Sequence, residues 1–140
     1  MARQPHVLII GAGITGLLLA QALKSRGIQF SIHERDHNEH CRGGGWGLAI
    51  HWAKDDLLSL LPKTMQDRLL EANVDPETAA RGDCGNFPFF DLASGCKKFT
   101  NPSDKRIRVT REGLRRLLLT GDLHVKVSEY PNAEVRKITL

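Results

Sequence analysis

Several features are scarce in this sequence of 140 residues, and each scarcity excludes a class of protein. The three cysteines (Cys41, Cys84 and Cys96) lack the CxxC spacing of thiolate zinc sites, so we expect reduced thiols and no disulfide framework. The longest apolar stretch, residues 14–22, contains polar and glycine residues and is shorter than the ~20 residues of a bilayer span. Because the N-terminus also lacks a secretory cleavage pattern, we predict a cytoplasmic protein without a membrane span.

Aromatic residues and net charge are also low. Aromatic residues make up 6% of the chain, and the net charge is +4. The basic excess is confined to residues 101–140, where the segment "KRIRVTREGLRR" contains no aromatic side chain. Single-stranded nucleic acids are bound by basic grooves lined with aromatic side chains, so no nucleic-acid partner is expected.

The sequence contains no recognisable metal site. Four residues that could be read as a metal cluster match no common zinc spacing. They are His37, His40, Cys41 and His51. The two tryptophans, Trp46 and Trp52, are expected to anchor the core, because large aromatic side chains usually do so in a chain with few of them.

The N-terminal third has the pattern of a βαβ unit. "HVLII", residues 6–10, is a continuous apolar run, typical of a parallel strand buried on both faces. Apolar residues then recur at helical spacing from Ile14 to about Arg26, and Gly27 follows as a helix-ending glycine. "IQFSIHE", residues 28–34, continues as a second strand. We therefore predict an α/β Rossmann-like fold with a two-stranded parallel core.

The remaining sequence predicts shorter elements without a linker or repeat. Helices are expected over residues 53–62, over 64–74 with Thr64 as N-cap, and from the N-cap Thr110 to the helix-ending Gly121. Strands are expected on both sides of the turn at 93–95, over 123–130 and over 133–140. These strands would add a few antiparallel members to the parallel sheet, and residues 1–140 would form one unit.

The segment "GAGITG", residues 11–16, fits the GxGxxG pattern between a strand and a helix, which is where dinucleotide binding requires it. In that context Gly11 permits the tight turn, Gly13 lets a pyrophosphate approach, and Gly16 lets the helix pack on the strand. The helix N-terminus supplies unpaired N–H groups for the phosphates. The segment therefore predicts a nucleotide-binding loop.

Glu34 ends the second strand, at the distance from Gly11 at which an acidic residue accepts hydrogen bonds from an adenosine ribose. This position favours FAD or NAD. A 2′-phosphate would be repelled by Glu34, although Arg35 leaves NADP open. By themselves these residues leave a nicotinamide-dependent reductase open as an alternative.

Four stretches in this order resemble one enzyme family. They are "VLIIGAGITGLLLAQAL" with "IHERD", then "RGGGWGLAIHW", then "LLSLLP", then "RVTREGLRRLLL". Together they resemble the N-terminal part of the FAD-dependent aromatic monooxygenases built like p-hydroxybenzoate hydroxylase, and most strongly the fungal members associated with secondary metabolism.

The resemblance implies FAD as cofactor, NAD(P)H as co-substrate and hydroxylation of a small organic substrate with O2. It also implies the cofactor-binding residues: Gly11, Gly13 and Gly16 at the pyrophosphate, Glu34 at the ribose, Arg35 beside the adenine end, Arg42 facing the flavin phosphates or ribityl chain, and Arg111 contacting FAD from a neighbouring element.

The sequence departs from this family in what it lacks. Neither the DG-containing stretch nor the GD motif of the family is present, and we interpret "TGDLH" at 120–124 as a helix end. No residue is therefore identified as catalytic, and residues 1–140 are expected to form a partial FAD-binding domain. Completion by a protein partner or self-association is one expectation. A non-catalytic nucleotide-binding or accessory protein is the alternative.

Overall fold

The computed structural model describes residues 5–37, 41, 44–81, 86–101, 106–121 and 123–127. The strands are β1 (Val7–Ile10), β2 (Phe30–Glu34), β3 (Gly47–Ile50), β4 (Phe87–Phe90), β5 (Lys97–Asn101), β6 (Ile107–Thr110) and β7 (Val125–Val127). The helices are α1 (Ile14–Ser25), α2 (Lys54–Leu60), α3 (Lys63–Asp67), α4 (Pro76–Ala80) and α5 (Arg111–Leu119), with a 3₁₀ turn over Leu69–Ala72 between α3 and α4.

The predicted βαβ unit is confirmed. Strand β1 pairs in parallel with β2, with Ile9 opposite Ile32. Helix α1 connects the two strands and ends at a glycine, because Gly27 has a φ of +65° and its N–H donates to the Lys24 carbonyl oxygen. The chain therefore enters and leaves α1 as the pattern predicted.

The parallel core has three strands where two were predicted. The strand expected over 123–130 is present as β7, and it pairs in parallel with β2, with Ile32 opposite Val125. Helix α5 packs beside α1 and returns the chain to the edge of β2, so β7 continues the sheet in the order β1-β2-β7. The second predicted strand, over 133–140, lies outside the described residues.

Only one face of this sheet is covered by the described helices. Ile9 and Ile32 face α1 and α5 and are 5% and 0% exposed. Leu8 and Ile10 point to the opposite face and are each 55% exposed. The prediction that β1 is buried on both faces is therefore wrong for the described part of the chain, because no described helix packs on the second face.

The described part of the chain also contains two antiparallel strand pairs. The hairpin β4–β5 was predicted, and its turn contains Gly95 with a φ of +67°. The pair β3–β6 was not predicted. It brings the start of α5 next to the residue before β3, since the Arg111 N–H donates to the Trp46 carbonyl oxygen over 2.8 Å.

Two smaller predictions fail. The helix expected over 64–74 is divided at Arg68 into α3 and a 3₁₀ turn, and Pro62, not Thr64, is the N-cap of α3. The tryptophans are not core residues, because Trp46 is 69% exposed and Trp52 is 89% exposed. The core is aliphatic instead and centres on the fully buried Leu17, Leu114 and Leu118. No helix in the described segments is long and apolar enough to cross a bilayer.

Candidate dinucleotide-binding site

The glycine loop leaves β1 in a conformation that glycine favours. Gly11 has a φ of +99°, and its N–H donates to the His33 carbonyl oxygen over 2.6 Å. Gly16 approaches the same turn closely, because a Cβ atom on it would lie 2.1 Å from the Gly11 carbonyl oxygen. These two glycines are therefore required by the turn and by the packing of α1 on β1.

Gly13 differs from Gly11 and Gly16, because no contact within the described part of the chain requires a glycine there. It is the N-cap of α1 with a φ of −75°, and a Cβ atom would meet no atom within 4 Å. The α1 N-terminus has no side-chain cap and no acidic residue in its first turn. Its N–H groups and positive potential are thus available to an anion, and the absent Cβ leaves room for one to approach.

Glu34 lies directly against this loop. Its Oε2 accepts the Ala12 N–H over 2.7 Å, and its Oε1 accepts the N–H groups of Arg35 and Asp36 over 2.8 and 3.0 Å. The residue is 8% exposed. A carboxylate has about four lone-pair sites, so these bonds leave one site, on Oε2, for a hydroxyl donor. The end of the second strand therefore contacts the loop directly.

The electrostatic environment keeps Glu34 ionised. Burial raises the pKa of Glu34, but the three backbone N–H bonds from Asp36, Ala12 and Arg35 outweigh burial and hold that pKa below its usual value. A neighbouring Asp36 carboxylate acts in the raising direction. The result is an anionic acceptor at the carboxyl end of the parallel strands.

The predicted arginines Arg35 and Arg111 differ in their exposure and in their distance along the chain from the glycine loop. Arg35 follows β2 with its side chain 63% exposed, 3.8 Å from the Asp36 carboxylate. Arg111 is half-buried in the first turn of α5, where the Thr110 hydroxyl caps the helix by accepting the Gly113 N–H over 3.0 Å. Arg42 lies outside the described residues. The structure thus brings the loop and Glu34 into contact and puts Arg111 on the helix that packs beside α1.

Arg115 is a loop contact that the sequence analysis missed. Its Nε donates to the Ala12 carbonyl oxygen over 2.9 Å. Arg111 precedes it by one helical turn, so both arginines lie on the same side of α5. That i, i+4 spacing is the signal that could have identified Arg115, although nothing local indicates that α5 reaches the loop. Across the described segments, no three His, Cys, Asp or Glu side chains are grouped to hold a metal ion.

Comparisons with known proteins agree with this geometry. The profile of the FAD binding domain family matches residues 4–49. The chain is 57% identical over 117 residues to a "Probable FAD-dependent monooxygenase" of Arthroderma benhamiae, a match that covers 84% of this chain and 27% of the relative. It is 39% identical over 137 residues to the FAD-dependent monooxygenase tazP of Aspergillus terreus, covering 87% of this chain and 34% of the relative.

Solved structures share the fold. A "putative FAD containing monooxygenase" from Photorhabdus luminescens superposes with a TM-score of 0.63 at 26% identity, over 86% of this chain and 30% of that one. CtdE, solved in complex with FAD, superposes with a TM-score of 0.67 at 16% identity, over 89% of this chain and 30% of that one. This chain spans about a third or less of the length of the relatives it matches. It belongs to the FAD-dependent monooxygenases, of which it corresponds to the N-terminal FAD-binding part.

Proposed function

We propose that this chain is the FAD-binding portion of a flavin-dependent monooxygenase that hydroxylates a small organic substrate with NAD(P)H and O2 in secondary-metabolite biosynthesis. The observation that carries the proposal is the space at Gly13, at an uncapped helix N-terminus beside the Glu34 carboxylate. The names of the fungal relatives support the reaction class.

The open space at Gly13 and the charges of the surrounding side chains support FAD as the ligand. The pyrophosphate would lie against the α1 N-terminus, where Gly11 and Gly16 form the turn and Gly13 leaves room. The adenosine ribose would donate to the remaining lone-pair site of Glu34. Arg35, Arg42 and Arg111 would add positive charge along the cofactor. When bound, FAD would supply the redox and oxygen chemistry, and the chain's own part would be to bind and orient it.

No catalytic residue is proposed within this chain. Oxygen transfer by a flavin requires a dry, substrate-binding chamber, and this chain spans only 27% to 34% of the two fungal relatives described above. We infer that further polypeptide covers the open face of the sheet at Leu8 and Ile10, which are both 55% exposed. A cytoplasmic location is also part of the proposal, because three cysteines without CxxC spacing favour reduced thiols.

Titration of the purified chain with FAD and with NAD, each followed by calorimetry, tests the proposal. We expect the chain to bind FAD more tightly than NAD. Gly13→Ala should weaken the binding of FAD without changing the unfolding midpoint of the chain by more than a few degrees. Preference for NAD would support a nicotinamide-dependent reductase instead. Failure of the folded chain to bind either nucleotide would leave a non-catalytic accessory role.

A further inference from the structure

We propose that Arg115 is a positioning residue of the dinucleotide-binding loop, which it orients through the Ala12 carbonyl group. The inference rests on the proposed FAD site, and it adds a residue from α5 that neither the glycine pattern nor the acidic residue after β2 includes. Arg115 lies 103 positions after the loop residue that it contacts. The contact therefore depends on tertiary structure alone.

The peptide groups on both sides of Ala12 are fixed by charged side chains. The Ala12 N–H donates to the Glu34 Oε2 over 2.7 Å, and its carbonyl oxygen accepts the Arg115 Nε–H over 2.9 Å. Ala12 itself is 0% exposed. A carboxylate from β2 and a guanidinium from α5 thus hold the centre of the loop from opposite ends of one residue, and charge-assisted bonds of this kind are stronger than neutral ones.

The bond to Arg115 also sets the direction of a phosphate-binding donor. The Ala12 carbonyl group and the Gly13 N–H belong to one planar trans peptide unit, so they point in opposite directions. Once the carbonyl oxygen points to Arg115, the direction of the Gly13 N–H is determined. As the N-cap residue of α1, Gly13 supplies one of the N–H groups that have no partner inside the helix. Arg115 therefore orients the first donor available to a pyrophosphate.

Arg115 can hold this position because α5 is itself fixed. Its N-terminus is capped by Thr110, and at its C-terminal end the buried Gln21 of α1 donates to the carbonyl oxygens of Leu118 and Thr120 over 2.6 and 3.0 Å. The neighbouring Leu114 is 0% exposed. The guanidinium thus projects from a helix locked against α1, and its positive charge adds to the potential of the α1 N-terminus.

The first test measures nucleotide affinity. We expect Arg115→Met to weaken FAD binding to the purified chain about tenfold, because one charge-assisted hydrogen bond and one nearby positive charge are lost. Arg115→Lys keeps the charge without the Nε donor and should fall between Arg115→Met and the unmodified chain. The affinity for adenosine, measured in competition with FAD, should change by less than about twofold in these variants, because adenosine lacks the pyrophosphate that the loop is proposed to bind. The control Arg116→Met removes the same charge from an exposed position of the same helix and should leave both affinities unchanged.

The second test needs no nucleotide. Amide hydrogen exchange in residues 11–16 should become faster in Arg115→Met and in Arg115→Lys, but not in Arg116→Met, because Arg115 bonds to the loop whereas Arg116 lies at an exposed position of α5. If Arg115→Met does not fold, Arg115→Lys is used for both the affinity and the hydrogen-exchange measurement. Unchanged exchange, or an unchanged ratio of FAD to adenosine affinity, would overturn the role of Arg115. Absence of FAD binding by the unmodified chain would instead refute the proposed function, and exchange would still decide whether Arg115 orders the loop.

Discussion

Replacing Gly16 by alanine is the most demanding test of the loop geometry. A Cβ atom at this position would lie 2.1 Å from the Gly11 carbonyl oxygen, 3.3 Å from the Gly11 carbonyl carbon and 3.2 Å from the Ile9 Cγ2. The closest neighbour is backbone, which cannot rotate away as a side chain can. The substitution must therefore displace α1 from the turn by about 1 Å, in a region whose packing is dense.

The expected size of the effect follows from two opposing terms. Overpacking of a dense region costs about 1 to 3 kcal/mol, and the upper part of that range, about 2 to 3 kcal/mol, applies here because the backbone must move. Alanine regains about 1 kcal/mol of helix propensity relative to glycine. We expect a net loss of about 1 to 2 kcal/mol in the free energy of unfolding, which lowers the unfolding midpoint by about 3 to 10 °C in a chain of this length. Binding of FAD should fall at least about tenfold, because a displacement of 1 Å misaligns the phosphate donors.

Thermal unfolding followed by circular dichroism, together with FAD titration, measures both effects. Gly13→Ala is the matched control, since its Cβ would meet no atom within 4 Å and its φ of −75° suits any residue. The free energy of unfolding of that variant should stay within about 1 kcal/mol of the unmodified value. Alanine reduces the backbone freedom of the unfolded chain, which stabilises the fold, but it is a poorer N-cap than glycine, which destabilises the helix. It should nevertheless bind FAD less tightly. If Gly16→Ala were as stable as the unmodified chain, the close approach of α1 to the turn would be refuted.

Three further predictions concern stability and association. Because the pKa of Glu34 is lowered in the folded state, the contribution of its carboxylate to stability is complete above the usual carboxyl pKa and is lost as the pH falls through the pKa of the folded state. The difference in unfolding free energy between the unmodified chain and Glu34→Gln, measured by urea melts, should therefore shrink at acidic pH. A difference that stays constant with pH would contradict the lowered pKa of Glu34. Gln21→Leu leaves two carbonyl groups at the end of α5 without their donor and should cost about 1 to 3 kcal/mol, whereas Gln29→Leu, at an exposed position, should be neutral in the same urea melts. If the open sheet face drives self-association, Leu8→Ser should shift sedimentation velocity profiles toward the monomer. The control Leu19→Ser, which replaces an exposed leucine on α1, should leave the profile unchanged. Equal profiles for the two variants would refute self-association through the open sheet face.

The βαβ unit and the glycine loop could be predicted from sequence because their signals are local. Strand β1, helix α1 and strand β2 follow from apolar spacing and from Gly27. The capping of α5 by Thr110 was predicted for the same reason, since a cap involves residues three positions apart.

Pairing and exposure were decided by tertiary structure. The local sequence of β7, "VKV", does not indicate that this strand pairs in parallel with β2, and the local sequences of β3 and β6 do not indicate that they pair with each other. Strands that are far apart in the sequence share no periodic signal. The exposure of Trp46 and Trp52 contradicts the usual burial of aromatic side chains, because the described core is filled by aliphatic residues of α1 and α5.

The candidate site divides in the same way. By itself, the sequence determined the loop and the carboxylate that follows β2, because short-range spacing specifies a strand, a turn and a helix N-terminus. The family followed from the resemblance of four stretches of the sequence to known members. Only the tertiary structure determined that Glu34 contacts the Ala12 N–H and that Arg115 contacts the Ala12 carbonyl. Such contacts depend on how α5 packs against α1, and that packing arises from the burial of leucines far apart in the chain.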